Sequence, residues 1–97
     1  MTNKVFIVNK SHHDYSDASK YGDIVFLSEG LVNRFNTNQM VREFSDLMED
    51  SRPTDHIVLC SLNVMISIAT AVFAHRHGTL NLLLFKDGKY IERNLIL

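Results

Sequence analysis

Apolar and polar positions along the chain follow two different periods. Runs of β-branched and aromatic residues without alternation predict strands that are buried on both faces of a sheet. Those runs are KVFIV at Lys4–Val8, DIVFL at Asp23–Leu27 and HIVLCS at His56–Ser61, and LNLLLF at Leu80–Phe85 predicts a fourth strand. The segment Tyr90–Leu97 alternates at first, and it follows the turn signal Asp87-Gly88. It therefore predicts an antiparallel edge strand that closes a hairpin.

Two segments have the apolar spacing of helices. The first begins at Asn36 or Thr37, either of which can cap a helix. It ends near residues 50–52, because Pro53 disfavours helical geometry in the residue before it. The second lies in LNVMISIATAVFAHRHG and stops at Gly78. The apolar face of the first helix comprises Met40, Val41, Phe44, Leu47 and Met48.

The order β-β-α-β-α-β-β predicts a small three-layer α/β domain of the Rossmann-like kind. Its sheet is expected to be mostly parallel, with an antiparallel hairpin at the C-terminal end. The 97 residues suffice for one domain, 1–97, and the chain has no linker, repeat or low-complexity segment.

Composition excludes several classes of function. The net charge is −1, and no basic run is long enough to bind duplex DNA or RNA. No apolar window approaches the ~20 residues of a membrane span, and the apolar run near the start is too short for a signal peptide. We therefore expect a soluble cytoplasmic protein without a membrane partner. The single cysteine, Cys60, is expected to be a buried, inert thiol.

The second helix predicts a homodimer. Between Leu62 and Ala74 the only polar side chains are Asn63, Ser67 and Thr70, so the helix is apolar almost all round. Such a helix must be covered on more than one side, and a second copy of the chain is the natural cover. The alternative is a central helix tucked under the loop Leu31–Phe35.

Three predicted loops carry polar side chains at strand ends. In open α/β sheets, ligands bind beyond the carboxyl ends of parallel strands. Ser61 and Asn63 precede or begin the second helix, whose amino end favours a phosphate or carboxylate, and Lys10 adds a positive charge. The alternative is that Ser61 or Asn63 only caps that helix. The candidate ligand-binding residues are Asn9, Lys10, Ser11, Ser28, Ser61 and Asn63.

His12 and His13 are the candidate catalytic residues. Either histidine, oriented by Asp14, can act as a general base in phosphodiester cleavage. Adjacent side chains on an extended segment point in opposite directions, however, so the two histidines are not expected to share one site. The remaining histidines are scattered, and His75 and His77 match the negative end of the helix that they terminate. We predict neither a metal nor a cofactor.

Residues 55–93, DHIVLCSLNVMISIATAVFAHRHGTLNLLLFKDGKYIER, resemble the second half of a CRISPR-associated Rossmann fold (CARF) or ring-nuclease domain. Those domains also place a strand, a short polar turn, an apolar Ala-rich helix, a glycine, a strand and a hairpin in this order. The resemblance implies a homodimer that binds a cyclic or linear oligonucleotide messenger through residues 9–11 and 61–63. The chain is shorter than such domains, and residues before 55 have no comparable match. The whole chain also looks like small proteins encoded by bacteriophages.

Two functions from different classes follow. The first is a dimeric ligand-binding module that holds a nucleotide or another phosphorylated small molecule at the strand ends, with slow phosphodiester cleavage as an added activity. The second is an interaction module, an inhibitor or adaptor of a host protein, that uses the edge strand Tyr90–Leu97 or the acidic helix face Glu43–Asp50.

Overall fold

A computed structural model describes residues 2–97, in which five strands form one mixed sheet. The elements in chain order are β1 (Lys4–Ile7), a 3-10 helix (Ser16–Tyr21), β2 (Asp23–Phe26), α1 (Thr37–Leu47), β3 (His56–Val58), α2 (Asn63–His77), β4 (Thr79–Lys86) and β5 (Lys89–Ile96). The sheet order is β2-β1-β3-β4-β5, with β5 antiparallel to β4 and the other neighbours parallel. The predicted α/β class, the order of the elements and the C-terminal hairpin are confirmed, whereas the three-layer Rossmann-like topology is not.

The burial of the strands follows their position in the sheet. β1 is central, and Val5, Phe6 and Ile7 are fully buried, as its apolar run predicts. β3 is likewise buried along its length. The prediction of full burial is wrong for β2, where Asp23 is exposed and the next three residues are half-buried. β2 lies at an edge, so only one neighbouring strand covers it.

The two faces of the sheet are covered differently. Both α-helices pack on one face, where Phe6, Val8 and Ile57 meet the buried side chains of α1 and α2. Among residues 2–97, only the 3-10 helix and Tyr15 cover the other face, and they pack on Val5 and neighbouring side chains. We call these the α-helical face and the 3-10 face. The buried helix residues are Met40, Phe44, Met48, Met65, Ala69 and Phe73.

The two helices end for different reasons. α1 ends at Leu47, before the predicted boundary, and the guanidinium of Arg76 donates to the Ser45 carbonyl oxygen at 2.7 Å and to that of Met48. A cation suits the negative end of a helix. α2 ends where the sequence predicts, because Gly78 adopts the left-handed conformation with φ of 68°.

The outer surface of α2 is apolar and half-exposed. Met65, Ala69 and Phe73 are buried, whereas Ser67 and Ala71 face outward. A groove of about 470 Å³ runs between α1 and α2. Within residues 2–97, no helix combines the length and the apolar character needed to cross a membrane.

Candidate functional site: two recesses at the strand ends

The carboxyl ends of β2, β1 and β3 lie side by side, because these strands are parallel neighbours. The loops after β1 and β2 pair directly. The backbone N–H of Lys10 donates to the Ser28 carbonyl oxygen at 2.8 Å, and Lys10 and Glu29 form an isolated parallel bridge. The predicted convergence of these two loops is therefore present.

The first recess at this edge, which we call the polar recess, has a volume of about 400 Å³. The amine of Lys10 lies 3.9 Å from the Glu29 carboxylate and 5.1 Å from the centre of the Phe26 ring. Both charged side chains are more than half exposed, so solvent screens their attraction. The recess is lined by Asn9, Lys10, Ser11, His12, Glu29 and Gly30.

Asn9 and Ser28 hold the two loops together. The Ser28 hydroxyl donates to the Val8 carbonyl oxygen at 2.7 Å and lies 2.9 Å from Asn9 Oδ1. The Asn9 amide in turn donates to the Gly30 carbonyl oxygen at 3.2 Å. Ser28 is not among the residues that line the polar recess, so its contacts position the recess from behind.

The third loop lies outside the polar recess. The Ser61 hydroxyl donates to the Met65 sulfur at 3.1 Å, and α2 takes Leu62 as its N-cap residue. Within the described residues, no side chain caps α2, so the alternative that Ser61 or Asn63 caps it is wrong. The first backbone N–H groups of α2 are therefore left without a side-chain acceptor.

A second recess, which we call the aromatic recess, has a volume of about 280 Å³ and opens beside the ends of β3 and β4 on the 3-10 face. The His13 ring packs edge-on against Phe85 and Tyr15, with ring centres 4.7 and 5.1 Å apart. His12 lines one recess and His13 the other, as expected for adjacent side chains. The aromatic recess is lined by His13, Val58, Leu59, Cys60, Leu83, Phe85 and Tyr90.

Asp14 is engaged elsewhere. The backbone N–H of Ser16 donates to the Asp14 carboxylate at 2.9 Å and lowers its pKa. This Asx turn begins the 3-10 helix. Asp14 thus starts the segment that covers the 3-10 face, rather than holding a histidine for proton transfer.

Tyr15 contacts residues that line both recesses. Its hydroxyl lies 2.8 Å from Ser11 Oγ in the polar recess. The Cys60 thiol of the aromatic recess donates to the same hydroxyl at 3.8 Å. Burial raises the pKa of both Tyr15 and Cys60, so each is neutral near pH 7. Cys60 is half-buried, less than its apolar run predicts, because β3 ends at Val58 rather than at Ser61 and Cys60 lies beyond it at the rim.

The histidines at the end of α2 have structural contacts. His77 Nε2 lies 2.8 Å from the Ser51 hydroxyl, and its ring packs on Phe73 with ring centres 4.6 Å apart. Burial lowers the pKa of His77. Among residues 2–97 no group of three or more His, Cys, Asp or Glu side chains has the spacing to hold a metal ion.

Sequence reasoning missed Tyr15, Phe85 and Tyr90. For the last two a signal existed, because the two-residue turn Asp87-Gly88 places Phe85 directly opposite Tyr90. Asp87 and Gly88 both have positive φ, as the predicted type of hairpin turn requires. The role of Tyr15 depends on contacts with distant strands, which no local pattern indicates.

The fold defines a small α/β protein with a mixed five-stranded sheet. The model of the family described as Phage Pam3 gp32-like protein matches residues 3–96, and the chain belongs to this family. The resemblance to small phage-encoded proteins is thus confirmed. No curated protein and no solved structure matches the chain. None of these comparisons shows the resemblance to CARF or ring-nuclease domains, which stays a prediction.

Proposed function

We propose that the protein binds a phosphorylated small molecule, of the nucleotide or oligonucleotide-messenger class, in the polar recess. The observation that carries this proposal is the grouping of Lys10, Ser11 and His12 around one open recess beyond the carboxyl end of β1. Parallel α/β sheets present their ligand sites at this edge. Lys10 supplies positive charge, while Ser11 and His12 supply hydrogen-bond donors.

The pairing of Lys10 with Glu29 is compatible with anion binding. An exposed pair of this kind contributes less than about 1 kcal/mol, so a phosphate with two negative charges can displace the Glu29 carboxylate. Glu29 then becomes a repulsive neighbour of the bound anion. Of the two histidines, only His12 lines this recess, so a phosphodiester cleavage there would use His12.

A thermal-shift series with nucleoside monophosphates, dinucleotides and cyclic oligonucleotides tests the proposal. At about 100 times Kd, binding should raise the Tm by on the order of 10 °C, because ligand binds only the folded state. Lys10→Ala should remove most of the shift. Lys20→Ala is the matched control, since Lys20 is also exposed and also pairs with a carboxylate, that of Asp17 at 3.5 Å.

Glu29→Gln should strengthen ligand binding, whereas Lys10→Ala weakens it, if the polar recess binds an anion. Removing the carboxylate leaves Lys10 without its partner and removes the repulsion, so phosphate affinity should rise. A fall in affinity in Glu29→Gln, or equal shifts in Lys10→Ala and Lys20→Ala, would contradict the proposal.

We also propose that the protein forms a homodimer through residues 62–74. The half-exposed groove between α1 and α2 supports it, since Ile68, Ala71 and Val72 present apolar surface there. Sedimentation should give the mass of a dimer at micromolar concentration. Ala71→Glu should dissociate it, and Asn38→Glu on the exposed side of α1 should not; a monomeric mass for the unaltered chain would remove the dimer.

The second candidate is an interaction module that uses β5. This eight-residue strand lies at an edge of the sheet and supports this candidate. The exposed side chains of Leu95 and Ile96 end the strand, and exposed Leu97 follows it. Exposed edges accept further strands. Lysate capture of one host protein that is lost on Ile96→Lys, but kept on Lys10→Ala, would favour this candidate over the first.

A further inference from the structure

The aromatic recess has the lining of a site for an uncharged group. Its floor is formed by Val58, Leu59 and Leu83, and its sides by the rings of His13 and Phe85 together with Tyr90. The described lining residues carry no fixed charge. Its volume of about 280 Å³ lies just below the range of about 300 to 1,000 Å³ that whole small-molecule ligands fill. The recess therefore suits one planar portion of a ligand rather than a complete ligand.

Tyr90 supplies an unused hydrogen-bonding group at this recess. The residue is 3% exposed, and its hydroxyl makes no hydrogen bond within the described part of the chain. Buried phenols in folded proteins normally have a partner. Burial, together with the neighbouring Cys60 thiol, raises the pKa of Tyr90 to about 12, so the hydroxyl keeps its proton. It can donate to an acceptor atom of a ligand once neighbouring side chains shift to expose it, because the hydroxyl oxygen itself is buried.

The two recesses are close enough to serve one ligand. Tyr15 contacts both, since its hydroxyl lies 2.8 Å from Ser11 Oγ and its ring packs edge-on against His13. The Tyr15 ring also packs edge-on against Phe26, with ring centres 5.9 Å apart, and the Lys10 amine lies over the face of Phe26. A flat ring beside His13 is therefore separated from a phosphate beside Ser11 by the Tyr15 side chain, and from one beside Lys10 by the rings of Tyr15 and Phe26.

We propose that the aromatic recess binds the base of a nucleoside phosphate whose phosphate occupies the polar recess. This assignment rests on the proposed function and narrows it, because a sugar phosphate or inorganic phosphate has no group for the second recess. The rings of His13 and Phe85 contact the base, and the Tyr90 hydroxyl donates to a ring nitrogen or carbonyl oxygen.

Calorimetric titrations with four ligands separate the two recesses: a nucleoside monophosphate, the matching nucleoside, ribose 5-phosphate and pyrophosphate. The nucleotide should bind about tenfold more tightly than ribose 5-phosphate, in line with the contribution of aromatic contacts to one base. Phe85→Leu and Tyr90→Phe should each weaken the nucleotide about threefold to tenfold and leave ribose 5-phosphate unchanged. Phe35→Leu, in the exposed loop before α1, is the matched control.

The outcomes distinguish the two proposals. Equal affinities for nucleotide and ribose 5-phosphate, both insensitive to Phe85→Leu but sensitive to Lys10→Ala, overturn the base site and support the phosphate site. Nucleoside binding that is lost in Phe85→Leu, with no effect of Lys10→Ala, supports the base site alone and overturns the phosphate site. No binding of any of the four ligands overturns both. Thermal unfolding of each variant, compared with Phe35→Leu, confirms that loss of binding is not loss of folding.

Discussion

The two faces of the sheet differ in what their buried side chains do. On the α-helical face, the buried side chains of β1, β3, α1 and α2 are apolar and form one continuous core. On the 3-10 face, aromatic and polar groups such as His56 and Asn81 are buried under much less cover. The first face stabilises the fold through apolar packing, whereas the second leaves aromatic and polar groups at its margin.

Polar contacts replace helix packing over part of the 3-10 face. The Asn81 amide donates to the Asp55 carbonyl oxygen at 2.8 Å, and the Asn94 amide donates to Asn81 Oδ1 at 2.9 Å. His56 hydrogen-bonds to Glu92, and the Tyr21 ring lies 5.3 Å from the His56 ring. These side chains fill the sheet surface without a second helical layer. We therefore expect that truncating a side chain lowers the free energy of unfolding more on the α-helical face than on the 3-10 face.

Phe73→Ala should give the largest loss of stability. Phe73 is fully buried between α2 and the sheet, and removal of such a ring costs about 3 to 5 kcal/mol through lost burial and the cavity left behind. Phe85→Ala is the counterpart on the 3-10 face, where the ring is 51% exposed and its loss should cost about 1 kcal/mol. Urea unfolding measures both free energies. Equal costs would mean that the two faces do not differ as proposed.

Asp55→Ala should rank second. The Asp55 carboxylate is fully buried and accepts the backbone N–H groups of Lys4 and Arg52, each at 2.8 Å. Alanine leaves both donors without a partner, which should cost about 2 to 4 kcal/mol. Asp46→Ala, on the exposed face of α1, should change the free energy of unfolding by less than about 0.5 kcal/mol. A similar small change in Asp55→Ala would show that water replaces the carboxylate.

Periodicity predicted the elements of the fold because burial on one face repeats locally, as in Met40 and Phe44 of α1. The turn Asp87-Gly88 fixed the hairpin register. Periodicity did not predict the strand order. The position of β2 at an edge depends on how the loops connect strands that are distant in sequence. The candidate site divides in the same way. Asn9–His12 follow a strand end and were predicted, whereas the position of Tyr15 between Ser11 and Cys60 depends on distant contacts.

Glu92→Gln should have the smallest effect and a distinctive pH dependence. The hydrogen bond from His56 lowers the pKa of Glu92 below its ordinary value of 4.5. A lowered carboxyl pKa adds stability above the unfolded pKa, and that stability is lost as the pH falls through the folded pKa. Because Glu92 is 39% exposed, we expect less than about 1 kcal/mol at neutral pH.

Urea unfolding of the unaltered chain and of Glu92→Gln at a series of pH values measures this contribution. The difference in unfolding free energy between them should shrink below pH 4.5 and vanish at lower pH. Glu49→Gln, at an exposed position after α1, is the matched control for the loss of one charge. A difference that persists at low pH would assign the effect of Glu92 to packing rather than to its charge. In that case side-chain packing would stabilise the 3-10 face, as it stabilises the α-helical face. The two faces would then differ only in how much packing they contain.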